Sequence, residues 1–577
     1  MKTSNQHIAQ LFENIADLLQ IKGDSIHRVL AYRNAGEVIR DLPRDLTAIH
    51  QEGKLTEVQG IGKTLAEKIE EILTTQNLEF WDRLTNEVPP SLLEILHING
   101  VGPKKAKLFW QELDITTLAQ LETAAQNGEL QKLSGMGKKS EQKILDGIDA
   151  LSRHQGRIPI GTALPIAQEI LHDLLSLDVS QKGDIAGSLR RFSPTIGDVD
   201  ILIASTDPRP IMERFVNRSD VDQILGHGEK KSSILLAQGV QVDLRVLPPE
   251  RYGTGLSYFT GSQAHNVRLR EIAKEQGLSL NEHAFSNLDS GEEVILCETE
   301  EQVYETLGLS WVAPELREDR GEIEAAQQKS LPVLLEQNQI VSDLHMHTTW
   351  SDGKLTILEM AQLAQSRGLK HIVITDHSRS LGVANGLSIE RLRAQAEEVR
   401  KIDTEMGEGF RVLHGTEMDI KANGDLDYPD EVLAELDFVI ASLHVSLRQD
   451  RNTITERLVK AIHNPHVDMI AHPRGQLIQQ RDPADLDMDQ VFDAAKQTNT
   501  ILEINANPSR LDLDAIHARR AAEEGILISI NTDSHQGEGF NVLPFGVGTA
   551  RRAWLAAEQV INTWPTEQFL AWLAAKG

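Results

Sequence analysis

From residue 340 onward, short β-branched runs alternate with amphipathic helical stretches, and nearly every run ends in a histidine, aspartate or glutamate. The runs are residues 340–347, 371–376, 411–417, 437–443, 467–472, 500–506 and 526–532. Apolar strands spaced by helix-length segments call for βα units on a parallel sheet. Seven of them predict a distorted (βα)7 barrel, in which chemistry collects at the C-terminal ends of the strands. The candidate metal ligands fall there: His345 and His347 on one strand face, Asp352, His377, Glu417, His444, His472, Asp533 and His535. Imidazole mixed with carboxylate suits Zn²⁺, Mn²⁺ or Fe²⁺. Nine donors are too many for one ion, so two or three ions are expected, with Glu417 as a bridge. A lone histidine in a barrel is more often structural, but donors at successive strand ends are not explained that way. Arg474, two residues after His472, is a candidate phosphate ligand. Asp343 and Asp376 are candidates to orient the imidazoles from behind.

A second constellation lies earlier. Gly187-Ser188-Leu189-Arg190-Arg191 is followed by Gly197-Asp198-Val199-Asp200-Ile201-Leu202-Ile203. Glycine lets a turn approach a phosphate closely. In the strand that follows, period two puts Asp198 and Asp200 on one side and Val199, Ile201 and Ile203 on the other. In Val240-Gln241-Val242-Asp243-Leu244-Arg245-Val246 the same alternation turns Asp243 away from the core. Like charges this close call for a cation between them, and hard oxygen donors without thiolate suit Mg²⁺ or Mn²⁺. Three carboxylates can hold two ions about 3.5–4 Å apart, enough to clamp both oxygens of an in-line phosphoryl displacement. The bland alternative is a solvated strand face.

The first 150 residues read as helical and carry a loose repeat. Gly60 and Gly62, Gly100 and Gly102, and Gly135 and Gly137 bracket the apolar residues Ile61, Val101 and Met136, and lysines follow each pair. Such a turn presents backbone N–H groups and the positive end of a helix to an anion. One Gly-x-Gly is usually only a turn; three with basic helix starts point to phosphate contacts that do not read bases.

The chain has 577 residues and a net charge of −28, the acid being densest around residues 301–350 and heavy beyond them. That length suggests three to five domains. The charge excludes a broad basic field, so nucleic acid would be held by local motifs. Cys297 is the only cysteine, which excludes intrachain disulfides and thiolate metal centres. There is no signal-like apolar segment at the N-terminus and no run near the ~18 residues of a membrane span. A cytoplasmic location and no membrane partner are the expectations.

The segment from Gly187 to Ile203, Asp243, and Tyr258-Phe259-Thr260-Gly261-Ser262 together resemble the signature of family X DNA polymerases, over about residues 1–315. The three glycine turns resemble helix-hairpin-helix units. Residues 340–577 resemble the PHP (polymerase and histidinol phosphatase) domain in Asp343-Leu344-His345-Met346-His347, Ser351-Asp352-Gly353, Thr375-Asp376-His377, Ala471-His472-Pro473 and Asn531-Thr532-Asp533-Ser534-His535. The implied fold is multidomain. It has a helical helix-hairpin-helix N-terminal region and an α+β nucleotidyltransferase palm with a small α/β subdomain, followed by the barrel. The expected pieces are a lyase-like helical domain at 1–85, a second helical DNA-binding piece at 86–154, the palm at 155–249, and a nucleotide- and template-contacting subdomain at 250–314. A linker containing a helix follows at 315–339, then the phosphoesterase at 340–577.

The resemblance implies that Asp198, Asp200 and Asp243 bind two Mg²⁺ or Mn²⁺ ions. It implies that Ser188 and Arg191, with Gly197 nearby, hold a deoxynucleoside triphosphate. Tyr258, Phe259 and Gly261 would flank the sugar, and Asn266 and Arg270 would face the nascent base pair. Gln241 departs from vertebrate relatives, which carry arginine there. Lys68 matches the Schiff-base lysine of members with deoxyribose-phosphate lyase activity, and Arg28 and Tyr32 match supporting positions. Thr64 and Phe80, however, stand where strong lyases carry lysines. The implied activity is gap-filling DNA synthesis with 3′-end processing by the PHP site on Mn²⁺, Zn²⁺ or Fe²⁺. The expected partners are gapped or nicked DNA and deoxynucleotides, and the expected state is a monomer. The competing readings are a polymerase fused to a small-molecule phosphatase and a non-catalytic DNA-end scaffold.

Overall fold

The structure is a computed structural model that describes residues 5–40, 42, 46–58, 60–96, 98, 101–153 and 157–576. It divides into two compact units, residues 1–156 and 157–577.

The first unit is helical throughout its described residues. In the Asn5–Lys22 helix, Ile8, Phe12, Ile15 and Leu19 recur at helical spacing and are buried, the stripe that a packed amphipathic helix needs. One hydrophobic cluster runs from Ile8 to Ile148, so the pieces expected at 1–85 and 86–154 share a core. The three glycine turns are built alike. The N–H of Ile61, Val101 and Met136 donates to the carbonyl of Val58, Ile98 and Leu133 respectively, and all three apolar residues are buried. Gly62, Gly102 and Gly137 directly precede the helices Lys63–Thr75, Pro103–Leu113 and Lys138–Arg153. Gly60 and Gly135 have φ of 89° and 75°, a region that favours glycine. Gly100 lies outside the described residues.

The second unit begins with a five-stranded sheet in the order Lys182–Ile185, Val199–Ala204, Gln241–Leu247, Lys231–Leu236, Val221–His227. Val199–Ala204 and Gln241–Leu247 are parallel neighbours. The helices Ile160–Leu175 and Arg209–Val216 cover Val199, Ile201 and Ile203. The opposite face is not the open one that alternation suggests. The Tyr252–Thr260 helix buries Leu202, Ala204 and Leu247 against Tyr252 and Leu256, while at the carboxylate end Asp198 is exposed, Asp200 half-buried and Asp243 buried. Beyond it, the Gln263–Glu275 and Glu300–Thr306 helices pack with a small antiparallel sheet of Leu278–Leu280, Phe285–Asn287 and Glu293–Ile295.

Residues 315–339 contain the expected helix, at Glu322–Gln327, but residues 315–326 are packed rather than linker-like, while most of 327–339 is exposed. Leu316, Ile323 and Ala326 join the small subdomain's core, and Arg317 and Glu322 are fully buried. Two of the charges in this stretch are satisfied inside: Arg317 lies 2.6 Å from Glu300, and Glu322 accepts from His265 at 2.6 Å and from the backbone N–H groups of Asp319 and Arg320. Buried charge survives only when paired in this way.

The seven predicted runs become seven parallel strands in sequence order, from Ser342–Asp343 to Ile528–Asn531. A parallel bridge between Met346 and Ser534 draws the first and last together into a near-closed barrel. Leu344, Val373, Leu413, Phe438, Ile440, Met469 and Ile501 form one cluster with Phe569 of the Thr566–Lys576 helix. This end is thus a packed core rather than a pore. The ladder in the first and fifth strands is only two residues long, because the residues beyond leave it to enter the site.

Candidate active sites

The palm carboxylates meet because two sequence-distant strands pair in one register. Asp200 lies directly opposite Asp243, and Asp198 sits at the mouth of the same strand. The Gly187–Arg190 turn abuts them. Gly187 has φ of 62°, and a Cβ there would lie 2.4 Å from Asp200 Oδ2, so only glycine brings this backbone so near the carboxylate. Burial, then the charges of Asp198 and Asp243, push the Asp200 carboxyl up to about 7. Crowding by protein, then Asp243, raises Asp198 as well. Oxygen donors that resist sharing negative charge fit a divalent hard cation. Gln241 Nε2 donates to Asp243 Oδ1 at 3.1 Å, and Lys231 Nζ lies 3.0 Å from Asp243 Oδ2. The sequence reading missed Lys231, which reaches the site only through the pairing of its strand with Gln241–Leu247.

Ser188 lies in the Gly187–Arg190 turn and Gly197 in the exposed turn before Asp198. Arg191 Nη1 donates to the Thr260 carbonyl at 2.6 Å, and a Cβ at Gly261 would lie 3.1 Å from that same nitrogen. Tyr258 and Phe259 make an edge contact with ring centroids 5.1 Å apart. Arg245 stacks on Phe259, its Cζ 4.0 Å from the ring centroid. Asn266 Nδ2 donates to the Tyr258 carbonyl at 2.7 Å, and Arg270 Nε to the Asn266 carbonyl at 3.2 Å. Tyr258, Asn266 and Arg270 line one cleft with Thr254 and Asn281.

In the barrel, five imidazoles converge on one carboxylate. Glu417 Oε2 lies 3.3, 3.4 and 3.0 Å from nitrogens of His345, His347 and His377, and Oε1 lies 3.1 and 3.0 Å from His444 and His472. Asp533 Oδ1 is 3.1 Å from His347, and Asp352 Oδ1 is 3.4 Å from His535 and 3.7 Å from His377. The donors fall into overlapping groups: His347, Asp352, His377 and His535; His345, His347 and Asp533; and His377, Glu417 and His444. His345 Nε2, both nitrogens of His347, His377 Nδ1 and His472 Nδ1 are buried without a hydrogen-bond partner among the described residues. Buried polar atoms are ordinarily satisfied, so these lone pairs fit divalent ions that take nitrogen and oxygen together. Burial drives His347 down to about 4, which keeps the ring neutral with one nitrogen lone pair free.

Three expectations around this site are corrected. Arg474 is committed elsewhere: its Nη1 lies 2.6 Å from Asp514 Oδ2, and Asp514 also holds His517 at 2.7 Å. The chain turns at His472 (φ 28°) and Gly475 (φ 58°), so nearness in sequence does not aim Arg474 at the donors. Arg510 is the guanidinium that faces them, its Nε 4.0 Å from Asp533 Oδ2. Asp343 and Asp376 do not hold imidazoles. Asp343 accepts from the Thr532 hydroxyl at 2.5 Å, and Asp376 from Thr348, Ser351 and Gln395, so both brace the loops carrying the donors. The imidazoles are oriented instead by Glu503, 2.8 Å from His345 Nδ1, and Asp419, 2.7 Å from His444 Nδ1. An acid within the apolar run 500–506 was the available signal for Glu503.

In the first unit, Lys68 Nζ sits 4.3 Å from the centroid of Phe80, with Arg28 Cζ 4.8 Å from the same ring and Tyr32 stacked against it. Burial, with Arg28 and Arg83 against the opposing charge of Glu71, lowers the Lys68 amine below its ordinary range.

Together these parts define a class: helix-hairpin-helix region, polymerase beta-type catalytic unit, PHP barrel. Family models match accordingly: helix-hairpin-helix domain at residues 3–78, SAM-like helix-hairpin-helix tandem at 92–150, DNA polymerase beta thumb at 255–318 and PHP domain at 343–507. The DNA polymerase/3′-5′ exonuclease PolX of Bacillus subtilis (strain 168) is 39% identical over 557 residues, 96% of either chain. DNA polymerase lambda of Rattus norvegicus is 28% identical over 348 residues, 54% of this chain and 56% of its own. A protein named probable phosphatase from Thermoanaerobacter sp. (strain X514) is 30% identical over 237 residues, 39% of this chain and 91% of its own. The chain belongs to the family X DNA polymerases that carry a C-terminal PHP domain.

Proposed function

We propose that this chain is a repair polymerase, serving base excision repair among other routes, that fills short gaps in DNA and trims 3′ ends with its PHP site. The observation that carries the reading is the presence of two chemically distinct acid sites in one chain. Asp200 and Asp243 pair across parallel strands beside Asp198, and nine imidazole and carboxylate donors gather at the barrel's mouth. In the palm, the primer 3′-oxygen attacks the α-phosphorus of a deoxynucleoside triphosphate and pyrophosphate leaves. Ser188 and Arg191 bind the triphosphate, with Gly197 leaving room for it. Tyr258, Phe259 and Gly261 bound the sugar, and Asn266 and Arg270 face the nascent base pair. Asp198, Asp200 and Asp243 would hold two Mg²⁺ or Mn²⁺ ions, and the barrel donors two or three Mn²⁺, Zn²⁺ or Fe²⁺. Bound at either site, these ions would supply Lewis-acid charge for phosphoryl transfer.

The barrel hydrolyses the terminal phosphodiester and releases a nucleotide, with Arg510 rather than Arg474 nearest to a bound phosphate. The glycine turns at Gly60–Gly62, Gly100–Gly102 and Gly135–Gly137 grip the backbone of gapped or nicked duplex. The domain division read from the sequence stands as part of this proposal, with 315–339 counted into the catalytic unit. The single cysteine suits a reducing compartment, and the chain is taken to act as a monomer in the cytoplasm. No helix among the described residues is long and apolar enough to cross a membrane.

A 5′-labelled gapped duplex incubated with Mn²⁺ tests the proposal. With deoxynucleotides the primer should extend across the gap; without them it should shorten from its 3′ end. Failure to extend would overturn the polymerase assignment. The identity with the probable phosphatase favours a second reading of the barrel, as a small-molecule phosphatase. Release of inorganic phosphate from simple monoesters without primer shortening would establish that reading instead.

A further inference from the structure

The barrel's Leu543–Arg552 helix reaches the palm next to Arg191, on two sides at once. Glu318 Oε1 lies 3.1 Å from Arg191 Nε and 2.9 Å from Arg552 Nη1. The same Arg552 nitrogen donates to the backbone carbonyl of Arg191. The next residue, Phe192, has φ of 54° and lays its ring on Gly548 of that helix. A Cβ at Gly548 would fall 2.0 Å from the Phe192 ring, so glycine is what permits this contact. Arg191, Arg552 and Glu318 are largely buried: their side chains are 13%, 9% and 16% exposed.

From these contacts we infer that Arg552, a residue of the PHP barrel, is a positioning residue for nucleotide binding in the palm, acting through Glu318 on Arg191. The inference rests on the proposed role of Arg191 in holding the triphosphate. The physics is a division of charge. One carboxylate shared by two guanidiniums, with Arg320 also close, leaves the cluster with positive charge in excess. If Arg552 is removed, Glu318 is free to pair with Arg191 alone, offsetting the charge meant for phosphate. The hydrogen bond that fixes the Arg191 backbone is lost as well. A long side chain held in place before the ligand arrives loses less entropy on binding.

The test uses the full-length protein in steady-state gap filling, with the variants Arg552→Met, Glu318→Asp, Arg191→Ala and the double variant Arg191→Ala/Arg552→Met. Glu318→Asp keeps the charge but withdraws the carboxylate by one methylene, so it reads the positioning contact on Arg191, apart from the division of charge, should Arg552→Met fold poorly. Each of the two link variants should raise the KM for deoxynucleotide about tenfold, the scale of one charge-assisted hydrogen bond. The kcat should hold, and so should 3′ shortening of the primer. In the Arg191→Ala background, Arg552→Met should add nothing, which a merely structural role would not produce. Arg552→Lys should restore much of the loss. If Arg191→Ala raises the KM while neither link variant does, the inference is overturned and the reading of Arg191 survives. If Arg191→Ala leaves the KM unchanged, the nucleotide-site reading fails and the inference with it.

Discussion

The palm and the barrel both gather acids for phosphoryl chemistry, but they differ in water and in donor type. The palm presents three carboxylates at the ends of two strands, Asp198 exposed, Asp200 half-buried and Asp243 buried with Lys231 balancing it. The barrel surrounds a 1%-exposed Glu417 with imidazoles, and His345 and His347 are fully buried. Hard, partly hydrated donors exchange ions readily, as sites do when a metal arrives with substrate phosphates. Buried imidazoles with unsatisfied lone pairs are costly without an ion, so the barrel should retain its metals through purification. The contrast teaches that one chain can carry two donor sets of different softness, oxygen alone in the palm and nitrogen with oxygen in the barrel.

The largest expected effect separates the sites outright. Asp198→Asn combined with Asp200→Asn should cut primer extension by at least ~10³-fold, several kcal/mol of lost charge stabilisation. Primer shortening should persist. His345→Ala with His347→Ala should do the reverse. A folded double variant that lost both activities would break the comparison, because it would mean that one centre serves both.

Retention sharpens it next. Glu503→Gln or Asp419→Asn removes the carboxylate behind His345 or His444. Loss of such a partner lowers metal affinity roughly 10–100-fold. Elemental analysis after a weak chelator should find transition metal depleted in these variants and kept in the parent. Gln241→Ala, the palm change beside Asp243, should leave that metal content alone. Equal depletion in all three would show that the barrel is no tighter than the palm.

A smaller effect concerns the palm alone. Tyr258 and Phe259 form a wall next to the Arg191-bearing turn. Tyr258→Ala should open space for a 2′-hydroxyl and raise the ribonucleotide to deoxynucleotide ratio of kcat/KM about tenfold, since sites that exclude by packing discriminate by ~10–200-fold. An unchanged ratio would put the sugar gate elsewhere.

Much of this was legible in the sequence because most barrel donors lie in or just past the end of an apolar run, and strand ends converge whatever the details of packing. The palm carboxylates were legible through period two. Lys231, Asp419 and Arg510 were not, because their roles depend on which strands and loops become neighbours; Glu503 showed only as an acid inside an apolar run. Arg474 pairs with Asp514, and the positive φ of His472 and Gly475 beside it is not legible in the sequence. Residues 315–339 read as a tether because composition cannot tell a solvated charge from Arg317 buried on Glu300. The contact between Arg552 and Arg191 joins residues 361 apart in the chain, and no local pattern announces it.

The smallest effect tests a nucleophile that needs no metal at all. Lys68 must be a free amine to attack an abasic-site aldehyde, and burial lowers its proton affinity in the right direction. The Phe80 ring works against it. A ring face 4.3 Å from the ammonium favours the charged form by about 0.5–1 kcal/mol. A cation at this position would instead push the same way as burial. Borohydride trapping on a 5′-incised abasic duplex should therefore give a weak adduct that disappears in Lys68→Ala. Phe80→Leu should strengthen it about 2–5-fold, the rate equivalent of that cation–π energy. An adduct of undiminished strength in Lys68→Ala would assign the chemistry to another amine. If Phe80→Leu weakened the adduct instead, the ring would be a scaffold for Lys68 and Arg28 rather than a brake on the lysine.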